Sequence, residues 1–263
     1  MGQEIKTTAY QDADYQRFHQ RLTAETELLG KFIQNGVCSE ILPVAGFEIE
    51  AWLLHDDMRP APLNESYLQS FNHPMACPEL AKFNVEMNTP PVRLTGDVFA
   101  NMHQNLSSTW LQAEQHARQM GLNLLMIGTL PTLLQHELNV GNMSNMNRYR
   151  ALNKQVLETR GKPILLDICG HEHLKVEHHD VMLEAATTSF QLHIQCPLSV
   201  AHHFYNASII ASAAMVAVCA NAPYLFAKDL WAETRIPMFE QAIALGGYQG
   251  VAEGPLYRVR FWI

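Results

Sequence analysis

Gly46-Phe47-Glu48-Ile49-Glu50-Ala51-Trp52-Leu53-Leu54 is the stretch on which the reading of this chain turns. Polar and apolar residues alternate through it before an apolar run begins. That pattern marks a β-strand, in which residues two apart point to the same face. Glu48 and Glu50 therefore project side by side from a rigid element. Neighbouring carboxylates repel, so the pair is costly unless a cation such as Mg2+ lies between them. The competing reading is a strand face in water, where charged side chains are mostly found.

Three further stretches read the same way. In Phe83-Asn84-Val85-Glu86-Met87-Asn88, ended by Pro90-Pro91, an apolar face backs a polar face holding Asn84, Glu86 and Asn88. That face is either solvated or a surface for a metal or substrate. Over residues 187–195, Ser189, Gln191, His193 and Gln195 share one face while Phe190, Leu192 and Ile194 share the other. Set among buried strands, such a row reads as the wall of a cavity, with His193 either structural or a ligand. Trp231-Ala232-Glu233-Thr234-Arg235-Ile236 reads as another strand with Glu233 and Arg235 on one face. The two form either a surface ion pair or a grip on metal and phosphate.

Between these strands, residues 9–35 have helical spacing and stop at Gly36. Residues 55–72 read as a loop that ends in a short helix. A helix over 94–120 has Gly121 as its C-cap. Buried strands follow at 122–130 and 164–169, with a polar loop at 131–147 and a helix opening at Arg148-Tyr149-Arg150. Two arginines at i and i+2 cannot share a helix face. The tract His171-Glu172-His173 through His178-His179 reads as an exposed loop or hairpin tip, with zinc binding as the minor reading. Residues 206–219 form an apolar helix, read as buried; the wider stretch 207–226 lacks the flanking basic residues of a membrane span. Residues 256–263 read as a closing strand. GxGxxG, GxxxxGK[ST] and GxSxG motifs are all absent.

The chain of 263 residues suits a single catalytic-type domain over 1–263. A net charge of −8 without any Lys/Arg run argues against a nucleic-acid partner. The N-terminus has no apolar signal region, and five scattered cysteines read as reduced thiols in the cytoplasm.

In order along the chain, five motifs join the opening one. They are Glu79 with the run 83–90, Met126-Ile127-Gly128-Thr129-Leu130-Pro131, Arg148-Tyr149-Arg150, Gln191-Leu192-His193-Ile194-Gln195 and Glu233-Thr234-Arg235-Ile236. Together they resemble the glutamate–cysteine ligase family, specifically its carboxylate–amine ligase branch, whose catalytic fold is like that of glutamine synthetase. The resemblance implies an α+β fold in which a curved antiparallel sheet forms a cradle with helices packed on its outer face. It implies Glu48, Glu50, Glu79, Glu86, His193 and Glu233 as ligands of Mg2+. Arg235, Gln195 and Arg150 would lie against ATP, and Arg235 and Arg148 would serve catalysis.

The implied reaction is ATP- and Mg2+-dependent. It forms a γ-glutamyl-type amide between a carboxylate such as glutamate and an amine such as cysteine, through an acyl phosphate. The alternative is an inactive or regulatory module with the same fold that binds nucleotide or amino acid. A third reading is a zinc protein or metal-dependent hydrolase using the His171 to His179 tract. The expected partner is a small amino-acid substrate, with neither nucleic acid nor membrane. Oligomeric state stays open, though a sheet cut at its edge favours self-association. Two departures from the family stand out. The chain stops at Ile263, short of the family's C-terminal segment, and Leu130 stands where many relatives carry His.

Overall fold

Strand β1 (Val44–Leu54) is the axis of the structure, a computed structural model in which residues 3–243 are described. The strand read at 256–263 lies outside the described residues. Helix α1 (Asp12–Gln34) precedes β1, and α2 (Asn64–Phe71), β2 (Ala76–Pro78), β3 (Asn84–Asn88), β4 (Val92–Arg93), α3 (Val98–Gln119) and β5 (Asn123–Leu125) follow it. Next come α4 (Asn147–Arg160), β6 (Ile164–Cys169), β7 (His173–His178), β8 (Phe190–Gln195) and α5 (Ala201–Cys219). Strands β9 (Tyr224–Leu225) and β10 (Lys228–Asp229) and helix α6 (Arg235–Ile243) complete the order.

Both edges of β1 are paired, and all the pairings are antiparallel. On one side β3 runs along residues 48–52 and β4 along residues 44–45. On the other, β8 runs along residues 44–49 and β5 along residues 52–54. Strand β2 extends the sheet beyond β3. Strand alternation then sorts the side chains into two faces. Ile49, Ala51, Leu53, Val85 and Met87 are buried against Tyr67 of α2 and Ala113 and Ala117 of α3. Tyr67 Oη donates to the Ala113 carbonyl at 2.8 Å, which ties these two outer helices together. Gly121, at φ +71°, ends α3 in the left-handed conformation that glycine adopts without strain.

The opposite face is divided along its length. Trp52 and Leu54 join a second core with Phe83, Leu130, Leu133, Ile164, Leu166 and the segment Val181–Ala186. The Trp52 ring stacks on Phe83 at 5.6 Å, and its Nε1–H donates to the Ile127 carbonyl at 2.9 Å. The other half of that face carries the acids.

The α+β fold and the helices on the outer face agree with the sequence reading; several details do not. The sheet is open rather than curled, because among the described residues β8 pairs with β1 alone and its far edge is free. Strand β8 is therefore exposed on both faces, not set among buried strands. Residues 164–169 pair with β7 in a separate hairpin and bury only alternate residues. The His171 to His179 tract lies largely within β7, and His173 and His178 each pair with an aspartate of their own, Asp167 and Asp180. Helix α5 has no buried residue, contrary to what its apolar composition suggests. Among the described residues no helix is long and apolar enough to cross a membrane.

Trp52 joins the core to the backbone of the 126–131 loop. Trp52→Ala should cost about 3–5 kcal/mol of stability, read as a lowered midpoint in urea denaturation.

Candidate active site

The pairing of β1 fixes the acids. Glu50 lies opposite Glu86 on β3, and Cys77 of β2 lies opposite Glu86 on its other side. Glu48 lies opposite Asn88 in one direction and Gln191 of β8 in the other. Directly opposed residues share a face, so carboxylates from neighbouring strands meet. Glu48 is 4% exposed and Glu86 is 2% exposed. Glu79 follows β2 and reaches the same group.

Buried carboxylates need donors, and the fold supplies them one by one. Glu50 accepts from the Ser189 amide at 2.8 Å and from the Ser189 hydroxyl at 2.9 Å. Glu86 accepts from Asn88 Nδ2 at 2.5 Å and from the Cys77 thiol at 3.2 Å. His193 Nε2 and Glu48 Oε2 are 2.6 Å apart. Burial, then hydrogen bonding to Glu86 and the charges of Glu50 and Glu86, push the Glu79 carboxyl up to about 9. Burial and Glu86 likewise raise Glu48, and burial raises Glu50. Burial acts against ionisation of Glu86 too, but hydrogen bonds from Glu79, Asn88, Glu48 and Cys77 outweigh it and hold that carboxyl below the usual range. Glu79 thus keeps its proton near neutral pH beside an ionised Glu86. Burial and the charge of Glu86 push the Cys77 thiol up to about 12.

A cavity of about 680 Å3 opens beside this group, lined by Glu50, Glu79, Asn84, Gln191, Glu233 and Arg235 among others. Glu233 and Arg235 do not lie on a strand. Glu233 sits in a turn with a single parallel bridge to Ala222, and Arg235 opens α6. They meet nonetheless, because the Arg235 Nε and Nη2 groups donate to the two Glu233 oxygens at 2.5 Å each. Nη1 donates to the Thr188 carbonyl at 2.8 Å. Glu233 raises the already high pKa of Arg235 further. The fork needs Gly128, where a Cβ would lie 2.8 Å from Arg235 Nε and 2.9 Å from the Asn221 carbonyl.

The sequence-profile comparison bears on this geometry. The profile of glutamate–cysteine ligase family 2 matches residues 45–247. The chain belongs to this family. Its matched region contains Glu48, Glu50, Glu79, Glu86 and His193, together with Glu233 and Arg235. No curated protein matches the chain.

The family implies Mg2+, and the donor set fits a hard cation in its chemistry. Carboxylate oxygens are the ligands Mg2+ prefers, and a cation beside them would offset the burial and mutual repulsion that raise Glu48 and Glu79. Among the described residues, no three His, Cys, Asp or Glu side chains yet converge on one point as a ready metal site. The fit is thus pairwise, through Glu48–Glu86 and Glu79–Glu86.

Not every expected residue gathers here. Arg148 bonds Tyr149 Oη at 2.8 Å, and Arg150 bonds Asn145 at 2.6 Å; neither lines the large cavity of this family 2 chain. Gln195 and His193 line a smaller neighbouring cavity of about 220 Å3 with Asn88 and Thr89. Three contributors escaped the sequence reading. Cys77 looked like a scattered thiol, although it sits two residues before Glu79 in an extended run. Thr188 acts through its carbonyl, which no side-chain pattern reveals. Glu184 stands alone among apolar residues.

The raised Glu79 carboxyl has a consequence for stability. The folded chain keeps a proton that the unfolded chain releases near 4.5, so this stabilisation is full below that pH and is lost as pH rises through about 9. Without divalent cations, Tm should fall across this interval, and Glu79→Gln should flatten the fall. An unchanged slope in the variant would overturn the assignment. Gly128→Ala should cost about 1–3 kcal/mol in a denaturation series, because the Arg235 fork must move.

Proposed function

We propose that the chain is an ATP- and Mg2+-dependent ligase that joins a carboxylate such as glutamate to an amine such as cysteine. The observation that carries this reading is the group of buried carboxylates, brought together by the register of a paired sheet, next to a forked guanidinium at a cavity. Such a group is stable without a cation only while it is partly protonated, so it is arranged to exchange protons for a divalent ion. Membership of a ligase family supports the same class of chemistry.

In this reading Glu48, Glu50, Glu79, Glu86 and His193 hold Mg2+, which when bound supplies positive charge against the phosphates. Arg235 meets phosphate. Glu233 orients Arg235 and becomes a metal ligand only by releasing it. Arg148, Arg150 and Gln195 act at the margin, on nucleotide or carboxylate substrate. A carboxylate oxygen of the substrate attacks the γ-phosphorus of ATP, and ADP leaves. The amine nitrogen then attacks the acyl carbon, phosphate leaves with the C–O electrons, and the nitrogen gives up its proton. Little of this needs a protein nucleophile; it needs charge neutralisation and in-line positioning.

The substrate is a small molecule, and neither nucleic acid nor membrane is a partner. The five free cysteines suit the cytoplasm. The free edge of β8 is where a second copy would add.

The test is calorimetric titration of ATP with and without Mg2+, on the wild type and on Glu48→Gln and Glu86→Gln. Binding should require Mg2+ and weaken by about tenfold or more in either variant, since each removes a charged ligand. An unchanged melt would show that the fold is intact. ADP release should then require both a carboxylate and an amine. Binding that ignores Mg2+, or that both variants retain, would overturn the reading.

A further inference from the structure

Helix α1 (Asp12–Gln34) precedes the region that the family 2 profile matches, and the ligase reading gives it no role. Its sequence carries an apolar stripe. Positions 15, 18, 22, 25, 29 and 32 step by three and four residues in turn, which is a heptad pattern. Tyr15, Phe18, Leu22, Leu29 and Phe32 fill five of them, and Glu25 fills the sixth. Ile33 widens the stripe at its end. A helix draws most of its stability from packing such a stripe against something else. Here no residue of α1 is buried, and the six apolar side chains are 41–65% exposed. The Tyr15 hydroxyl donates to Gln155 of α4, which ties the helix to the body but leaves the stripe open. Apolar surface of this extent marks an interaction site.

The charges on α1 say what covers the stripe. Asp12, Asp14, Glu25 and Glu27 outnumber Arg17, Arg21 and Lys31, whereas a helix that lies on a membrane surface is rich in Lys and Arg. A second copy of α1 fits better, and it fits in one orientation. In a parallel pair equivalent positions meet, so Glu25 would face the other copy's Glu25 across the seam. In an antiparallel pair a two-fold axis near the middle of the helix sets Tyr15 opposite Phe32, Phe18 opposite Leu29 and Leu22 opposite Glu25 of the other copy. Arg21 borders Leu22, so the same axis brings its guanidinium beside the other copy's Glu25. The contact is self-complementary, so this ion pair forms twice. Within one copy neither Arg21 nor Glu25 is in an ion pair among the described residues.

We infer that α1 is a dimerisation helix, and that its partner is α1 of a second copy of this chain, packed antiparallel along the stripe from Tyr15 to Phe32. The interface uses no residue of the acid site and none of β8. It stands whether or not the ligase reading does.

Sedimentation velocity on the full chain tests this. The wild type should pass from monomer to dimer as its concentration rises through the micromolar range. Phe18→Glu and Leu29→Glu each bury a charge in the seam and should weaken association by about a hundredfold. Arg21→Glu and Glu25→Arg each lose both ion pairs and set like charges together, so each should weaken it by about tenfold. The two changes combined should restore most of the wild-type affinity. If the seam variants misfold, the charge swap decides alone, because it leaves the apolar stripe intact. A wild type that stays monomeric, or a double variant no better than the singles, would overturn the inference. So would a dimer that survives both Phe18→Glu and Leu29→Glu, since its interface would then lie elsewhere, as at the β8 edge. Pelleting of the wild type but not Phe18→Glu with phosphatidylserine vesicles would overturn it as well, by assigning the stripe to a membrane.

Discussion

Like charges buried together are the constraint that the rest of this structure serves. The register of β1 against β3 sets Glu50 opposite Glu86, and Glu48 lies two pairs along on the same face. Such a group would drive the strands apart if it were fully ionised in a medium of low dielectric. The chain resolves this with protons and with donors drawn from three strands and a turn. Cys77 and Asn88 serve Glu86, Ser189 serves Glu50, and His193 serves Glu48. What remains is a compact group of acids, each with a donor of its own.

The cation that the chain does provide is held apart from these acids. Arg235 spends both of its carboxylate-facing donors on Glu233 and a third on the Thr188 carbonyl. If it lay among Glu48, Glu79 and Glu86 it would neutralise them. Thr188 and Ser189 are successive residues, so one peptide unit links the holder of Arg235 to the holder of Glu50. The guanidinium and the acids are thereby kept in a fixed relation although they come from distant parts of the chain.

The parts of this arrangement that rest on local alternation could be read from the sequence. Val85 to Asn88 and Glu48 to Ala51 alternate because one face packs on α2 and α3 and the other faces the site; Phe83 departs from this and packs on Trp52 in the second core. Alternation says which residues share a face, not what covers that face. In β8 the alternation sorts the side chains by face, yet every residue of the strand is exposed. Helix α5 shows the same limit, since an apolar surface all round predicts burial only if something lies over it. At 231–236 a period of two over a few residues imitates a strand, yet Arg235 opens a helix whose first turn contains Pro237. Proline in the first turn of a helix is well tolerated, and here it helps to start α6. Contacts made by carbonyls, such as that of Thr188, leave no trace in side-chain chemistry.

The two edges of β1 are filled from very different distances along the chain. Strand β3 arrives within some tens of residues, whereas β8 is made well over a hundred residues after β1. Closing so long a loop costs more entropy than closing a short one and slows the pairing. On a growing polypeptide the acid pair of β1 first meets the carboxylate of β3, and the serine and histidine that relieve the pair come later. Assembly of the site is therefore a late event in folding, and until β8 docks the nascent chain carries an unrelieved charge cluster on an otherwise formed sheet.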